Sequence, residues 1–194
     1  MVKALKPLRK GSKGLDIFKS RLPGWKDIFI VLSTTVFVVF SWSIRGFLFV
    51  LPSITLRYAV VEVIAIFSYM MAFALLESFL ITGVLIIVSG VLPSAWFRDG
   101  FSYKGFLAVL IGSVASIQYQ AFLGSELPEA QMYYLWAGIL ILLLVGLFLL
   151  FHFIHRFQSV LVSIAERFTV FAYLYIPIGI LGLTVVIFRN LLNG

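Results

Sequence analysis

The sequence has no cysteine, two histidines and few charged residues, which make up 12% of its 194 positions. Without cysteine there are no disulfides, thiolate metal sites or iron–sulfur clusters. Walker-type Gly-Lys-Ser/Thr, Gly-x-Ser-x-Gly and His-Glu-x-x-His motifs are also missing. No aspartate lies within a long apolar block, and no lysine lies near the middle of one. These absences favour a protein that is not an enzyme, and the sequence indicates no particular cofactor.

Long apolar runs dominate what is present. Hydrophobic residues form 62% of the chain and the mean hydropathy is +1.10, whereas a soluble protein is about half apolar. A helix of roughly 20 apolar residues crosses a membrane. Lipid offers no hydrogen bonds to the backbone, so a spanning segment outside a closed barrel must be helical. The sequence therefore predicts an all-α polytopic membrane protein with one transmembrane domain over 28–190. Five spans are expected, at 28–51, 58–80 or beyond, 104–123, 132–154 and 168–188.

The basic residues predict an orientation. The net charge of +7 is concentrated in residues 1–27, beside the first apolar block, so a membrane topology signal explains it better than a nucleic-acid partner. Five spans with a cytoplasmic N-terminus and an external C-terminus place twelve of the fifteen basic residues inside. We therefore expect the protein to lie in the cell (inner) membrane. The twelve are Lys3, Lys6, Arg9, Lys10, Lys13, Lys19, Arg21, Lys26, Arg98, Lys104, Arg156 and Arg167.

Two segments leave alternatives open. Residues 58–92 contain no proline and correspond to about 52 Å of helix, which exceeds a hydrocarbon core of about 30 Å. One long helix, a bent helix and two spans, giving six in all, are the alternatives. Residues 15–22 would form an amphipathic helix on the anionic inner leaflet, or belong to a disordered basic tail. In either case, residues 3–26 are expected to contact that leaflet.

A structural ion pair is predicted between Arg45 and Glu62. Arg45 lies seven residues before Pro52, and Glu62 lies ten after it. Adjacent antiparallel helices would therefore hold the two side chains at a similar depth. Since an unpaired charge inside a membrane is costly, we expect the pair to lock the first hairpin.

Further polar residues in the apolar blocks are candidates for a site. Glu77, Gln118 and Gln120 would form an intramembrane polar site. His152 and His155 share one helical face near the inner end of the fourth span, but metal or haem ligation would need more ligands there. Headgroup contact is the simpler interpretation of the histidines, and no metal site is predicted.

Small residues predict two places of close helix packing. The third span carries residues with small side chains at a spacing of four, which lets two helix backbones approach. In the fifth span a proline and two glycines predict a kink and a second close approach. The third-span seam consists of Ala108, Gly112 and Ser116, which are four residues apart, with Gly105 three residues before Ala108. The fifth-span residues are Pro177, Gly179 and Gly182.

Three functional hypotheses fit the sequence. The first is a non-enzymatic subunit or scaffold of a larger membrane complex, with other membrane subunits as partners. The second is a small-molecule or ion transporter, or a substrate-binding membrane component. The polar residues within the predicted spans support this hypothesis. The third is a lipid-modifying membrane enzyme that uses Glu77, His152 and His155.

Overall fold

The described residues of this protein form helices joined by short turns. The structure, a computed structural model, describes residues 23–92, 100–123, 131, 133–139, 141–142, 146 and 158–193, and this part contains no strand. The prediction of an all-helical protein is confirmed for these residues. The five main helices are α1 (Trp25–Thr55), α2 (Val60–Val91), α3 (Phe101–Leu123), α4 (Gln158–Arg167) and α5 (Thr169–Asn193); residues 133–139 are helical as well.

Four helical stretches of the described chain are long and apolar enough to cross a membrane. They are Trp25–Thr55, Val60–Val91, Phe101–Gln120 and Gln158–Leu192, the last of which joins α4 and α5. This finding supports a membrane protein with several transmembrane helices. Most of the predicted span 132–154 and the amphipathic segment 15–22 lie outside the described residues.

The segment 58–92 contains one helix rather than two. α2 runs without interruption for 32 residues, and α1 is nearly as long at 31 residues. Each measures roughly 47 Å at 1.5 Å per residue. The α1 helix ends in a turn in which the Tyr58 backbone N–H donates to the Ile54 carbonyl at 3.0 Å. The two helices therefore form an antiparallel hairpin of matched length.

The centre of the fold is the contact between α1 and α2. Buried aliphatic and aromatic residues of both helices meet there, and the α5 side chains Tyr175, Ile176 and Ile178 pack against them. Phe37 of α1 lies between Phe168 and Phe171, with ring centroids at 4.7 and 4.5 Å. The shared core comprises Val36, Val39, Phe40, Met71, Ala74 and Leu75.

Polar contacts join the helix ends at one end of the bundle. The Ser102 hydroxyl at the start of α3 donates to the Asp27 carboxylate at the start of α1. Lys26 forms an ion pair of 2.9 Å with Glu166 near the end of α4. We call this the α1-start end. Since Gly105 of α3 also lies against Val31, α3 runs in the same direction as α1.

A close helix contact lies between α5 and α2. A Cβ added at Gly182 would lie 2.6 Å from the Ser68 carbonyl oxygen, and one at Gly179 would lie 2.9 Å from the Leu75 Cβ. Real Cβ atoms do not approach other atoms so closely, so only glycine fits here. The close approach predicted for the fifth span is therefore present in the structure, between two transmembrane-length helices.

The seam predicted on α3 makes such an approach at one end only. A Cβ at Gly105 would lie 2.5 Å from a Val31 methyl group, but one at Gly112 would have no described atom within 4 Å. Gly112 and Ser116 are exposed and Ala108 is half-buried. Close packing on α1 is therefore present at Gly105, and the rest of the seam stays a prediction.

Gly182→Ala should destabilise the protein far more than Gly112→Ala. The new methyl group at 182 meets backbone that cannot rotate away, and overpacking of this kind costs about 1–3 kcal/mol. At 112 the methyl group has space, and alanine is the better helix former. Thermal unfolding of both variants in one detergent measures the difference. Equal unfolding temperatures would show that α5 does not pack on α2 through this glycine.

Candidate functional site

A polar groove lies between α1, α2 and α3. Its volume is about 520 Å³, within the range of small-molecule sites. Aliphatic and aromatic side chains form part of the wall, and hydroxyl, amide and charged groups form the rest. The polar lining consists of Ser41, Ser43 and Arg45 from α1, Glu77 from α2, and Ser113, Ser116 and Gln120 from α3.

Helical periodicity brings the α3 groups to one face. Ser113, Ser116 and Gln120 lie at positions i, i+3 and i+7, which share a side of a helix. Gln118 is exposed but does not line the groove. It is two residues from Gln120, and therefore about 200° around the helix. Of the three residues predicted to form an intramembrane polar site, the structure brings Glu77 and Gln120 together and leaves Gln118 apart.

The groove lies next to a buried cluster in which the three helices meet near the α1-start end. Val31 of α1 and Phe101 and Val109 of α3 form a buried cluster, and Leu85 and Ile86 of α2 pack against it. One turn beyond Val109, Ser113 lines the groove together with Glu77 and Ile81 of α2. The polar residues follow directly after this closed cluster.

Arg45 and Glu77 occupy different levels of the groove. The rings of Phe47 and Phe67 are 5.0 Å apart and set the register of the antiparallel α1–α2 pair. Ten residues further along α2, Glu77 is therefore level with Phe37. The Arg45 backbone lies eight residues from that level, or about 12 Å. Helical side chains lean toward their own N-terminus, so on antiparallel helices these two side chains lean toward each other.

Arg45 is held by an aromatic ring. Its guanidinium carbon lies 4.9 Å from the centroid of the Trp42 ring, one helical turn away. A cation over an indole face is attracted by the negative face of the ring. Within the described residues Arg45 has no ion-pair partner, so its charge is available to the groove.

The ion pair predicted between Arg45 and Glu62 is not formed among the described residues. Glu62 lies in the first turn of α2, and its carboxylate accepts a hydrogen bond of 3.2 Å from the Ala59 backbone N–H. A helix N-terminus offers unpaired N–H groups and a positive partial charge to a nearby carboxylate. Glu62 therefore stabilises the start of its own helix instead of bonding to α1.

Glu77 is exposed, lines the groove and makes no hydrogen bond or ion pair within the described part of the chain. It also borders a second, shallower cavity beside Ser43 and Tyr69. Its carboxylate thus remains free to accept hydrogen bonds from a bound molecule.

The remaining predicted site residues do not extend the groove. His152 and His155 lie outside the described residues. Among the described residues, no group of three or more His, Cys, Asp or Glu side chains could hold a metal ion. Gly105 serves helix packing, whereas Ser116, predicted as part of the seam, lines the groove.

Sequence reasoning did not single out Trp42, Ser43 or Ser113. Serine is common in transmembrane helices because its hydroxyl can bond to its own backbone, as Ser113 does with the Val109 carbonyl at 2.7 Å. The available signal was the shared face of Ser113, Ser116 and Gln120. It predicts a polar face on α3, but it does not show what that face meets.

No protein-family model, curated protein or solved structure matches this chain. The chemistry of the groove residues is therefore the guide to function.

A cysteine at 116 should react faster with a membrane-impermeant thiol reagent than one at 114. Each variant carries a single thiol, because the chain has no cysteine. Ser116 lines the groove, whereas Val114 is 48% exposed on another face of α3 and does not. The reactive thiolate is disfavoured in apolar surroundings. We therefore expect the cysteine at 116 to be labelled about tenfold faster than the cysteine at 114.

Labelling in lipid nanodiscs with a charged methanethiosulfonate, followed by intact mass, measures these rates. Similar rates for Ser116→Cys and Val114→Cys would show that the groove holds no more water than the lipid-facing surface.

Proposed function

We propose that this protein is a non-enzymatic membrane component that binds a small molecule in the groove between α1, α2 and α3. It would act as a transporter or as the substrate-binding part of one. The observation that carries the proposal is the convergence of Arg45 and Glu77 on one groove, each without an ion-pair partner among the described residues.

Charged side chains at membrane depth support a binding role. They are costly there, and they usually face a cavity and mark a path or site for a substrate. Here they are accompanied by hydroxyl and amide groups, which can fix the orientation of a ligand without catalysing a reaction. The groove is also large enough for a molecule of drug-like size, at about 520 Å³.

Membership in a larger membrane assembly is a second proposal, and α2 favours it. Its length of roughly 48 Å exceeds the hydrocarbon core by about 18 Å. Val84, Ile87 and Val91, at positions i, i+3 and i+7 near its C-terminal end, are 49%, 64% and 77% exposed. A partner subunit would cover this apolar face where it extends past the hydrocarbon.

For the topology we propose five spans, with the N-terminus in the cytoplasm and the C-terminus outside an inner membrane. The contacts of α5 support the odd number. Phe37 meets Phe171 and Phe40 stacks on Tyr175, so α5 runs parallel to α1 and hence to α3. Two parallel spans require the chain between them to return across the membrane, which is the role expected for 132–154. The basic residues 3–26 would then contact the anionic inner leaflet.

Gln120→Leu should lower occupancy of the groove, while Gln118→Leu should not. Both residues are exposed on α3, but only Gln120 lines the groove. Loss of one hydrogen bond of about 1 kcal/mol weakens binding about fivefold. Native mass spectrometry of the protein released from mild detergent measures the fraction with a bound small molecule. Equal occupancy in wild type and both variants would contradict binding at this place.

The same spectra test the assembly proposal. A protein partner of fixed stoichiometry that is retained by wild type and lost from Ile87→Asn would support it. A monomer in every sample would contradict it.

The orientation can be measured with reporters. A reporter that is active only in the cytoplasm should work when fused at Met1 and be silent when fused at Gly194. Activity at both ends would require an even number of spans, and would overturn the proposed topology and the assignment of the basic residues to the inside.

A further inference from the structure

We infer that the groove binds the headgroup of a zwitterionic phospholipid with a primary amine, its phosphate at Arg45 and its ammonium at Glu77. This inference rests on the proposed binding function and specifies the ligand of that same site.

The two charges of the groove have opposite signs and are kept apart. Arg45 is held over Trp42 at 4.9 Å, and Glu77 bonds to no described residue. An anionic ligand would satisfy Arg45 and repel Glu77, and a cationic ligand would do the reverse. Only a ligand that carries both charges relieves the cost of both side chains at membrane depth.

The spacing fits a headgroup. The backbones of Arg45 and Glu77 are about 12 Å apart in level, and their side chains lean toward each other. A phosphate and an ammonium that are a few bonds apart, as in phosphoethanolamine, suit two charged side chains that lean toward each other on one groove. Gln120 lies on the Arg45 side of Ser113 and Ser116 along α3, and its amide can donate to the phosphate oxygens.

A lipid is a better source of this chemistry than a free solute. The groove lies between helices, and the apolar side chain of Ile117 on its wall is 44% exposed. Phe37, Val38 and Ile81 extend the apolar wall inward. The headgroup can therefore occupy the polar part while the acyl chains stay in the bilayer.

A primary amine fits better than choline. A carboxylate such as Glu77 accepts strong, charge-assisted hydrogen bonds from an ammonium N–H, and choline has none to give. Choline is usually recognised on free aromatic faces, but the Trp42 ring already carries Arg45. Glu77 therefore selects the amine, and Arg45 binds the phosphate that both lipids share.

Lipid competition tests the inference. Purified protein is mixed with equal amounts of phosphatidylethanolamine, phosphatidylcholine and phosphatidylglycerol of identical acyl chains, and retained lipid is measured by native mass spectrometry. Wild type should retain phosphatidylethanolamine about tenfold over phosphatidylcholine, the factor expected for one charge-assisted hydrogen bond.

The variants separate the two contacts. Glu77→Gln keeps the side-chain shape and should reduce phosphatidylethanolamine retention to the level of phosphatidylcholine. Arg45→Gln should lower retention of both lipids. Glu62→Gln is the matched control, because Glu62 is on the same helix but caps its start instead of lining the groove. It should leave the lipid preference unchanged.

The outcomes also distinguish this inference from the proposed function. Retention without a preference for phosphatidylethanolamine, or a preference that survives Glu77→Gln, overturns the inference and leaves groove binding intact. Retention of free phosphoethanolamine but not of the lipid overturns the lipid source in the same way. If Gln120→Leu lowers the retention of no molecule, the proposed binding function is contradicted as well.

Discussion

The antiparallel packing of α1 against α2 is the contact on which the other helices depend. Lipid removes the hydrophobic drive that joins helices in water, so close van der Waals packing must hold transmembrane helices together. The surface formed by α1 and α2 supplies such packing to α5, whose Gly179 and Gly182 lie directly against α2. On its other side α1 holds α3 through Val31 and Gly105. A hairpin of two matched long helices thus sets the positions of the remaining spans.

The bundle of α1, α2 and α3 is closed at one end and forms a groove further along. At the α1-start end the helices are closed, by the cluster around Val31 and Phe101 and by the contacts of Asp27 and Lys26. Further along, side chains of α1, α2 and α3 line the groove. The groove side chains Arg45, Glu77 and Gln120 are exposed, so substitutions at these positions should cost little stability.

The sequence was sufficient to predict where the helices lie along the chain. It was insufficient to predict which face of each helix contacts its neighbours. Apolar length alone predicts helices in the regions of α1, α2, α3 and α5, since lipid forces the backbone to bond internally. Which face of a helix meets which neighbour depends on side chains of several helices at once. Gly112 and Gly182 illustrate this. Both stand in patterns that permit close approach, but only Gly182 has a neighbouring backbone against it. Matching depth likewise suggested that Glu62 pairs with Arg45, while the closer backbone N–H of Ala59 takes the carboxylate.

The register of α1 and α2 explains why Glu62 leaves Arg45 free: Phe47 lies against Phe67, so Glu62 is level with Pro52, seven residues beyond Arg45. Had Glu62 reached Arg45, the pair would have neutralised itself as a lock between α1 and α2, and buried pairs of this kind add little net stability. With Glu62 held at its own helix start, Arg45 turns back along α1 to Trp42, toward the level of Glu77. The two charges then line one groove from neighbouring helices. The ligand proposed above would therefore bridge α1 and α2 where the groove borders α3.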